Sequence, residues 1–497
     1  MPRKRQPHDT TVSMRESQAY IVPLDEVIAT KKFAKLFRDK ILTKYSLAQA
    51  HLIAHFLDTF PLSREAGKAV PLPYNVLWKK FPSLYKDGEL QQLLDDGIFD
   101  RDYFSQSDHK CYYYTAGQTL LAWLEEDKRE TYIASLLHEP LVRLVDGQKA
   151  ASLKHLLFDH EGKTIPELNK QALAALKTNI INYQELDWEL TLLARDSERG
   201  DYRQRQRQRL KVQIITSYIR SILRQKHWTI SQGGRPLLVY VPAYKGSRFG
   251  RLFERGGGMQ AMPKALKQVA YDFLSVHAYN YDVRSCHIAI IAQLCREEGH
   301  PFPVLEEYVS HKDAKQEYAR KAQMDVPLWK ACIISLFYGS QLGKNRHFSL
   351  YRDMWEAYEA GDAPYTEADV ERTYEHFLNV GLPFIQARQV WLEVLKDKIV
   401  PRLTDKKNFV MNQVGCTKMI PDAWTVAELR AMSSFVCIGY EAAFIDHLMT
   451  LHEAYGWENR SIEHDGLITQ GRIPEEAIAK ARNLSAFYTA SLEEAFF

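Results

Sequence analysis

The side chains of this sequence best suited to chemistry are two aspartates. Asp465 lies in SIEHDGLIT (residues 461–469), two short apolar half-strands with His464, Asp465 and Gly466 at the crest between them. Asp-Gly between strand formers is the plainest short signal of a β-hairpin. A hairpin tip also holds a carboxylate rigidly where a metal ion can reach it. Asp282 ends a second strand-like run, VHAYNYDV, ahead of the helix-like RSCHIAIIAQLCREEG. Two such acids on adjacent strands are the minimum that can hold two Mg²⁺ ions about 4 Å apart, one beside an attacking oxygen and one beside a leaving pyrophosphate. Mn²⁺ suits the same oxygen donors.

Between the aspartates, WKACIISLFYGSQLG reads as an apolar helix ended by Gly339, with Lys330 and Tyr338 eight residues apart. Eight residues rise about 12 Å and return to nearly the same face, so an ammonium and a phenol there can bracket a nucleoside triphosphate lengthwise. Lys330 would meet the phosphates and Tyr338 the base and sugar. The same pattern also describes a core helix with a snorkelling lysine.

These groups need elements to position them, and the chain is long enough to supply several domains. Its 497 residues exceed one ordinary core and suggest about three domains. Apolar residues at 45% and charged residues at 26% are those of a globular protein. Basic residues exceed acidic ones by a net charge of only +3, so a nucleic-acid surface must be local. None of the six cysteines forms a CxxC pair or a structural zinc spacing, which points to a reduced setting. No apolar run approaches a membrane span, and MPRKRQ lacks the apolar core of a secretory signal, so the expectation is a cytoplasmic protein with no membrane partner.

Residues 1–145 read as a mainly helical module. SLAQAHLIAHFLDTF puts Leu47, Ile53, Ala54, Phe56 and Leu57 near one face of a helix begun by Ser46. ELQQLLDDGIF is a second helix stopped by Gly97, and DYFSQSDHKCYYYT alternates around a polar turn, as the wing of a winged-helix module would. From 146 to 235 the pattern is helical and increasingly basic; Arg203, Arg205, Arg207 and Arg209 fan around the helix circumference, either as a solvated face or as a clamp on a phosphate backbone.

Asp282 in YDVRSCHIAIIAQL, Lys330 to Gly339 in KACIISLFYG, and His464-Asp465 in EHDG resemble, in order and context, the three motifs of the DNA polymerase I (family A) superfamily, which includes the single-subunit phage-type RNA polymerases. GRLFERGGGMQAMP, residues 250–263, resembles a further element of that superfamily at a spacing closer to its DNA polymerases. MSSFVCIGYEAAFIDHLM is similar to the helix preceding the last motif. The resemblance covers residues 236–497 and does not extend to 1–145.

It implies an α+β, right-hand fold: an antiparallel palm formed by 236–300 and 416–497, helical fingers over 301–415, and a helical thumb over 146–235. Asp282 and Asp465 would carry two Mg²⁺ ions, with His464 positioning the primer terminus. Lys330, Tyr338 and Gly339 would bind the nucleotide, and Arg251 and Gln260 would contact the primer-template duplex. The implied partners are a DNA template, a primer strand and nucleoside triphosphates, with residues 1–145 recognising an origin, a promoter or an accessory protein. Replication of a phage or plasmid fits the size.

The sequence departs from the superfamily in three places. Val326 stands where an arginine for the triphosphate is usual, with Arg320 or Lys321 as candidate substitutes. Gly466 replaces the glutamate of the DNA enzymes. His287, five residues after Asp282, replaces a glutamate in DNA polymerases and a glycine in RNA polymerases. An imidazole both fills space and hydrogen-bonds hydroxyls, so this residue leaves the sugar open. Asp187 and Glu189 in LDWEL read as a solvated pair and not as an exonuclease site, since too little chain separates them from Asp282. The expectation is a DNA polymerase without proofreading; a single-subunit RNA polymerase or primase, and a catalytically inactive nucleic-acid-binding relative, are the alternatives.

Overall fold

The computed structural model describes residues 24, 27–29, 31–59, 70–72, 81–105, 111–127, 142–149, 151–159, 162–196, 199, 202–272, 278–360, 366–404 and 408–496. It is a mixed α+β fold in which small antiparallel sheets are set among helices.

In the N-terminal part, helix Leu47–Thr59 begins with a reciprocal cap: the Gln49 N–H donates to Ser46 Oγ at 3.2 Å and the Ser46 N–H to Gln49 Oε1 at 2.9 Å. Ile53, Ala54, Phe56 and Leu57 are buried as its periodicity requires, in one core with Phe33, Phe37 and Leu93. Leu47, expected on the same face, is 68% exposed at the helix's first position. Strands Val70–Leu72, Cys111–Ala116 and Phe99–Ser105 form a three-stranded sheet in that spatial order. Helix Tyr202–Arg224 carries the arginine run; the side chains of Arg203, Arg207 and Arg209 lie outside the described residues. Further along it, Arg220 is buried and donates to the carbonyl of Leu57.

The C-terminal half is built on a four-stranded sheet and the helices that cover it. In chain order these are β1 (Ala278–Val283), α1 (Cys286–Glu297), α2 (Ala314–Lys321), α3 (Val326–Phe337), α4 (Leu382–Val394), α5 (Val426–Thr450), β2 (Glu458–Glu463), β3 (Gly466–Gln470) and β4 (Leu492–Phe496). The sheet order is β2-β3-β1-β4, antiparallel throughout. α5 is apolar around most of its circumference and accordingly buried along most of its length, with Thr425 capping its start by accepting from the Glu428 N–H. α2 is fixed to α3 by a stack of Tyr318 on Trp329, 5.7 Å between ring centres and 7° from parallel. Among the described residues no helix is long and apolar enough to cross a membrane.

The β2–β3 hairpin is tighter than the sequence pattern indicates. Glu463 pairs with Gly466, so the loop is His464 and Asp465 alone, and the left-handed residue is His464 (φ 47°). Gly466 instead opens the returning strand, where a Cβ would lie 2.2 Å from the carbonyl oxygen of Tyr281. The glycine is required by the close approach of β1, so no larger side chain fits at 466 without moving a strand.

Candidate active site

β1 and the β2–β3 hairpin bring Asp282 and Asp465 together. Asp282 pairs with Gly466 in the sheet register, and the Val283 N–H donates to the Asp465 carbonyl at 2.9 Å. Burial among protein atoms pushes the Asp282 carboxyl up to about 7, and the neighbouring Asp465 reinforces it, while Lys330 opposes. Asp465 is raised as well, by burial and then by the field of Glu441, against Arg251 and His287. Two carboxylates forced together in this way call for a proton or a cation between them, and hard oxygen donors suit Mg²⁺ or Mn²⁺. The pair therefore fits the divalent ions that the sequence implies.

Beside the pair runs a buried network that includes a residue not singled out by its place in the sequence. Glu441, on α5 and 1% exposed in its side chain, receives a two-pronged contact from Arg251, Nε to Oε1 at 2.5 Å and Nη2 to Oε2 at 2.6 Å. Its Oε2 also lies 2.6 Å from Nε2 of His287, whose Nδ1 in turn meets the hydroxyl of Tyr338. Burial alone would lift the Glu441 carboxyl, but Arg251 and His287 outweigh it and hold it well below the usual carboxylate range. Burial likewise opposes the Arg251 charge, and Glu441 more than restores it. The signal in the sequence is a lone glutamate in the apolar run VCIGYEAAF, a position where a charge survives only if paired.

The backbone that carries Arg251 is pinned from both sides. Asn412 Nδ2 donates to the Phe249 carbonyl at 3.0 Å and Asn169 Nδ2 to the Gly250 carbonyl at 2.9 Å. Gly250 has φ 99°, with the Val414 side chain 3.1 Å from where a Cβ would stand.

Lys330 is exposed on α3 while Tyr338, its C-cap, is turned inward, its phenol raised well above the ordinary range by burial. Val326 opens α3 beside Pro327, with Asp325 as N-cap, so no arginine stands in that turn. The additional cation near Lys330 is Lys315, one turn before Tyr318. Its charge is disfavoured by burial and by Lys330, and favoured by Glu493 and Asp282. Arg320 and Lys321 are exposed at the far end of α2. Among the described residues neither Lys315 nor Lys330 has an ion-pair partner. Arg284, in contrast, is paired with Glu493 at 2.6 Å.

The remaining site residues divide. His464 packs edge-on against Phe253 at 5.3 Å, and burial pushes its imidazole down to about 4, so it is neutral near pH 7. Gln260 stands apart: it is buried, donating to the Leu252 carbonyl at 3.0 Å and accepting from the Glu254 N–H at 2.8 Å, so its amide braces the Arg251 segment. Gly339 has φ 80° and lies under Arg430, whose Cγ would be 2.7 Å from a Cβ there, with Arg388 Nη2 at 3.9 Å. Arg388 on α4 and Arg430 on α5 are half-buried, and among the described residues neither forms an ion pair, although the field of Asp353 favours the Arg430 charge. Both have their charge disfavoured first by burial, and then by Arg430 for Arg388 and by Arg352 for Arg430.

Cys286, His287 and Glu441 also cluster at metal-ligand distances. They do not suit a metal centre as they stand. The carboxylate is already taken by Arg251 and His287, and burial first, then the field of Glu441, keeps the Cys286 thiol protonated.

No protein-family model matches the chain, and no curated protein does. Among solved structures, the fold is distantly similar to the POL domain of Pol1 from M. smegmatis in complex with DNA primer-template and dNTP. The identity is 13%, the match covers 93% of this chain and 72% of that one, and the TM-score is 0.37.

Proposed function

We propose that this protein is a template-directed nucleotidyltransferase of right-hand organisation, extending a DNA primer with deoxynucleoside triphosphates and without proofreading. The observation that carries this reading is the meeting of Asp282 and Asp465 across β1 and the β2–β3 hairpin, with Lys330 in the field of Asp282 and Tyr338 bonded to His287. The motif order Asp282, Lys330 to Gly339, His464-Asp465 is the other support. In this reading 236–300 and 416–497 form the palm, 301–415 the fingers, 146–235 the thumb, and 1–145 an accessory module.

Asp282 and Asp465 would hold two Mg²⁺ ions, and ions bound there would supply positive charge for in-line displacement at the α-phosphate. Lys330 and Lys315 receive the triphosphate from the side opposite the carboxylates, Lys315 filling the place left by Val326. Tyr338 and His287 form the wall against which base and sugar lie. Arg251 faces the primer end, its orientation fixed by Glu441 and by the pinned backbone of 249–250. Arg388 and Arg430, guanidinium groups without an ion pair, take phosphates of the nucleic-acid backbone without reading sequence.

Incorporation on a single-stranded DNA template, with and without an annealed primer, comparing dNTPs with NTPs in Mg²⁺ and using D282A as the blank, tests the proposal. Primer-dependent dNTP extension absent from D282A is the expected result. Primer-free NTP incorporation would make the protein an RNA polymerase or primase. Duplex binding without incorporation in Mg²⁺ or Mn²⁺ would make it an inactive binder.

A further inference from the structure

The β2–β3 hairpin is held on its two sides by different means. Toward β1, the bond from Val283 to the Asp465 carbonyl joins the two acids to each other. β2 is an edge strand, and apart from an isolated bridge between Asn459 and Leu176 its outer side has no strand beside it. That side is met by residues 244–267, the segment that carries Arg251. The Ile462 N–H donates to the Tyr244 hydroxyl at 3.2 Å, and the Phe253 ring packs on His464. The third tie is ionic: Lys267, on the helix Lys264–Tyr271, donates from Nζ both to the Glu463 carboxylate and to the Gln260 carbonyl, the latter at 2.8 Å. The two charged side chains are only 11% and 15% exposed, so solvent screens the pair little.

Gln260 is itself closed onto the strand Leu252–Glu254. Its N–H donates to Glu254 Oε2 at 3.0 Å, its Oε1 accepts from the Glu254 N–H, and its Nε2 donates to the Leu252 carbonyl. The turn between them is confined too, since a Cβ on Gly258 would lie 1.9 Å from Glu254 Oε1. One ammonium thus bridges the last residue of β2 and the anchor of the strand that starts beside Arg251. A buried ion pair is often no more stabilising than apolar side chains of similar volume, so stability alone does not account for this one. What an ammonium shared by two acceptors adds is direction. We propose that Lys267 is a positioning residue: it seats the segment carrying Arg251 against the hairpin tip that carries Asp465. This rests on the polymerase reading above, in which Arg251 faces the primer end. The bond from Val283 keeps the two acids together without Lys267, and Lys267 governs where the primer end meets them.

The double variant K267M/E463M tests this, because it removes the tie, strands no charge in the interior and keeps the net charge of the parent. Amide hydrogen exchange of the folded variant is expected to be faster by about tenfold or more in residues 252–262 and 459–466 together, with protection elsewhere kept. Primer extension is expected to show kcat lowered by about ten- to a hundredfold, as a misplaced reacting group does, with KM for dNTP and affinity for Mn²⁺ near those of the parent. Unchanged protection in both stretches, or full kcat in the folded variant, would remove Lys267 from the role. A loss of Mn²⁺ affinity as large as the loss of kcat would also overturn it, since the acids themselves would then have moved. If K267M/E463M does not fold, Q260A, which keeps the carbonyl for Lys267 but releases the strand Leu252–Glu254, is expected to lower kcat in the same way, and an undiminished kcat there would sink the proposal. Absence of any incorporation by the unaltered protein would reject the polymerase reading, and the exchange result would still decide whether Lys267 holds the two segments together.

Discussion

The amide of Val283 donates to the carbonyl of Asp465 across 2.9 Å, and this single backbone bond fixes the spacing of two acids that enter the sheet from opposite ends of the C-terminal half. It places the two carboxylates by main-chain geometry, before any side-chain adjustment. Their mutual repulsion is therefore built in.

That repulsion has a titration consequence. A carboxyl lifted from 3.8 to about 7 binds a proton over that interval in the folded chain and not in the unfolded one, so Asp282 reduces stability as pH rises from about 4 to 7. A divalent cation must displace the proton and relieves the repulsion. Mg²⁺ or Mn²⁺ affinity is expected to rise about tenfold per pH unit below about 7, with proton release, and D465N is expected to flatten that slope. Calorimetric titration in two buffers of different ionisation enthalpy measures the proton count.

Lys315 has no signal in the sequence as a ligand-binding residue, and its test is kinetic. K315A is expected to raise KM for the triphosphate about tenfold or more, as removal of a charge-assisted hydrogen bond does, with a smaller effect on kcat. R320A and K321A are expected to leave KM near its starting value. Equal effects from all three would show a diffuse field in place of a specific interaction.

Arg388 and Arg430 are read through salt. Removing one cation that neutralises a phosphate lowers the slope of log affinity against log salt by roughly 0.7 on single strands and 0.9 on duplex. The double variant R388A/R430A is expected to bind a primer-template more weakly and with a slope reduced by between one and two. Binding curves at several salt concentrations would show no change in slope if these guanidinium groups serve only packing.

A stability prediction comes from Asp446, buried on α5 and raised to about 8 by burial, with Asn169 opposing through a hydrogen bond at 2.6 Å. Its raised value means the folded state prefers the neutral acid, so stability falls as pH climbs from about 4 to 8. D446N keeps the shape and an acceptor for Asn169. It is expected to gain on the parent as pH is raised from 5 to 8.5, by on the order of 2–4 kcal/mol, measured by denaturant titration at both values.

Much of the site was legible because its residues announce themselves locally. The hairpin at 461–469, the strand before Asp282 and the helix from Lys330 to Tyr338 each have a period and a terminator within a dozen residues. What was not legible depends on partners distant in sequence. Gly466 reads as a turn glycine until β1 is seen lying against it. Gln260 reads as a polar side chain free for a ligand until the backbone of 252–254 claims it. Glu441 is one polar letter in an apolar helix, and only its neighbours from other segments explain why a charge is tolerated there. Lys315 depends on the stack of Tyr318 on Trp329, which no spacing rule anticipates.

The order of strands also bears on how the chain is made. β1 is flanked in the sheet by β3 and β4, which follow it by roughly two hundred residues. During synthesis, at about 5–20 residues per second, β1 leaves the ribosome roughly ten or more seconds before either neighbour exists. Its two hydrogen-bonding edges stay bare for that time, and strand edges left bare invite the wrong partners. The paired aspartates are consequently among the last features to be assembled, so a nascent chain interrupted anywhere before the β2–β3 hairpin lacks the pair.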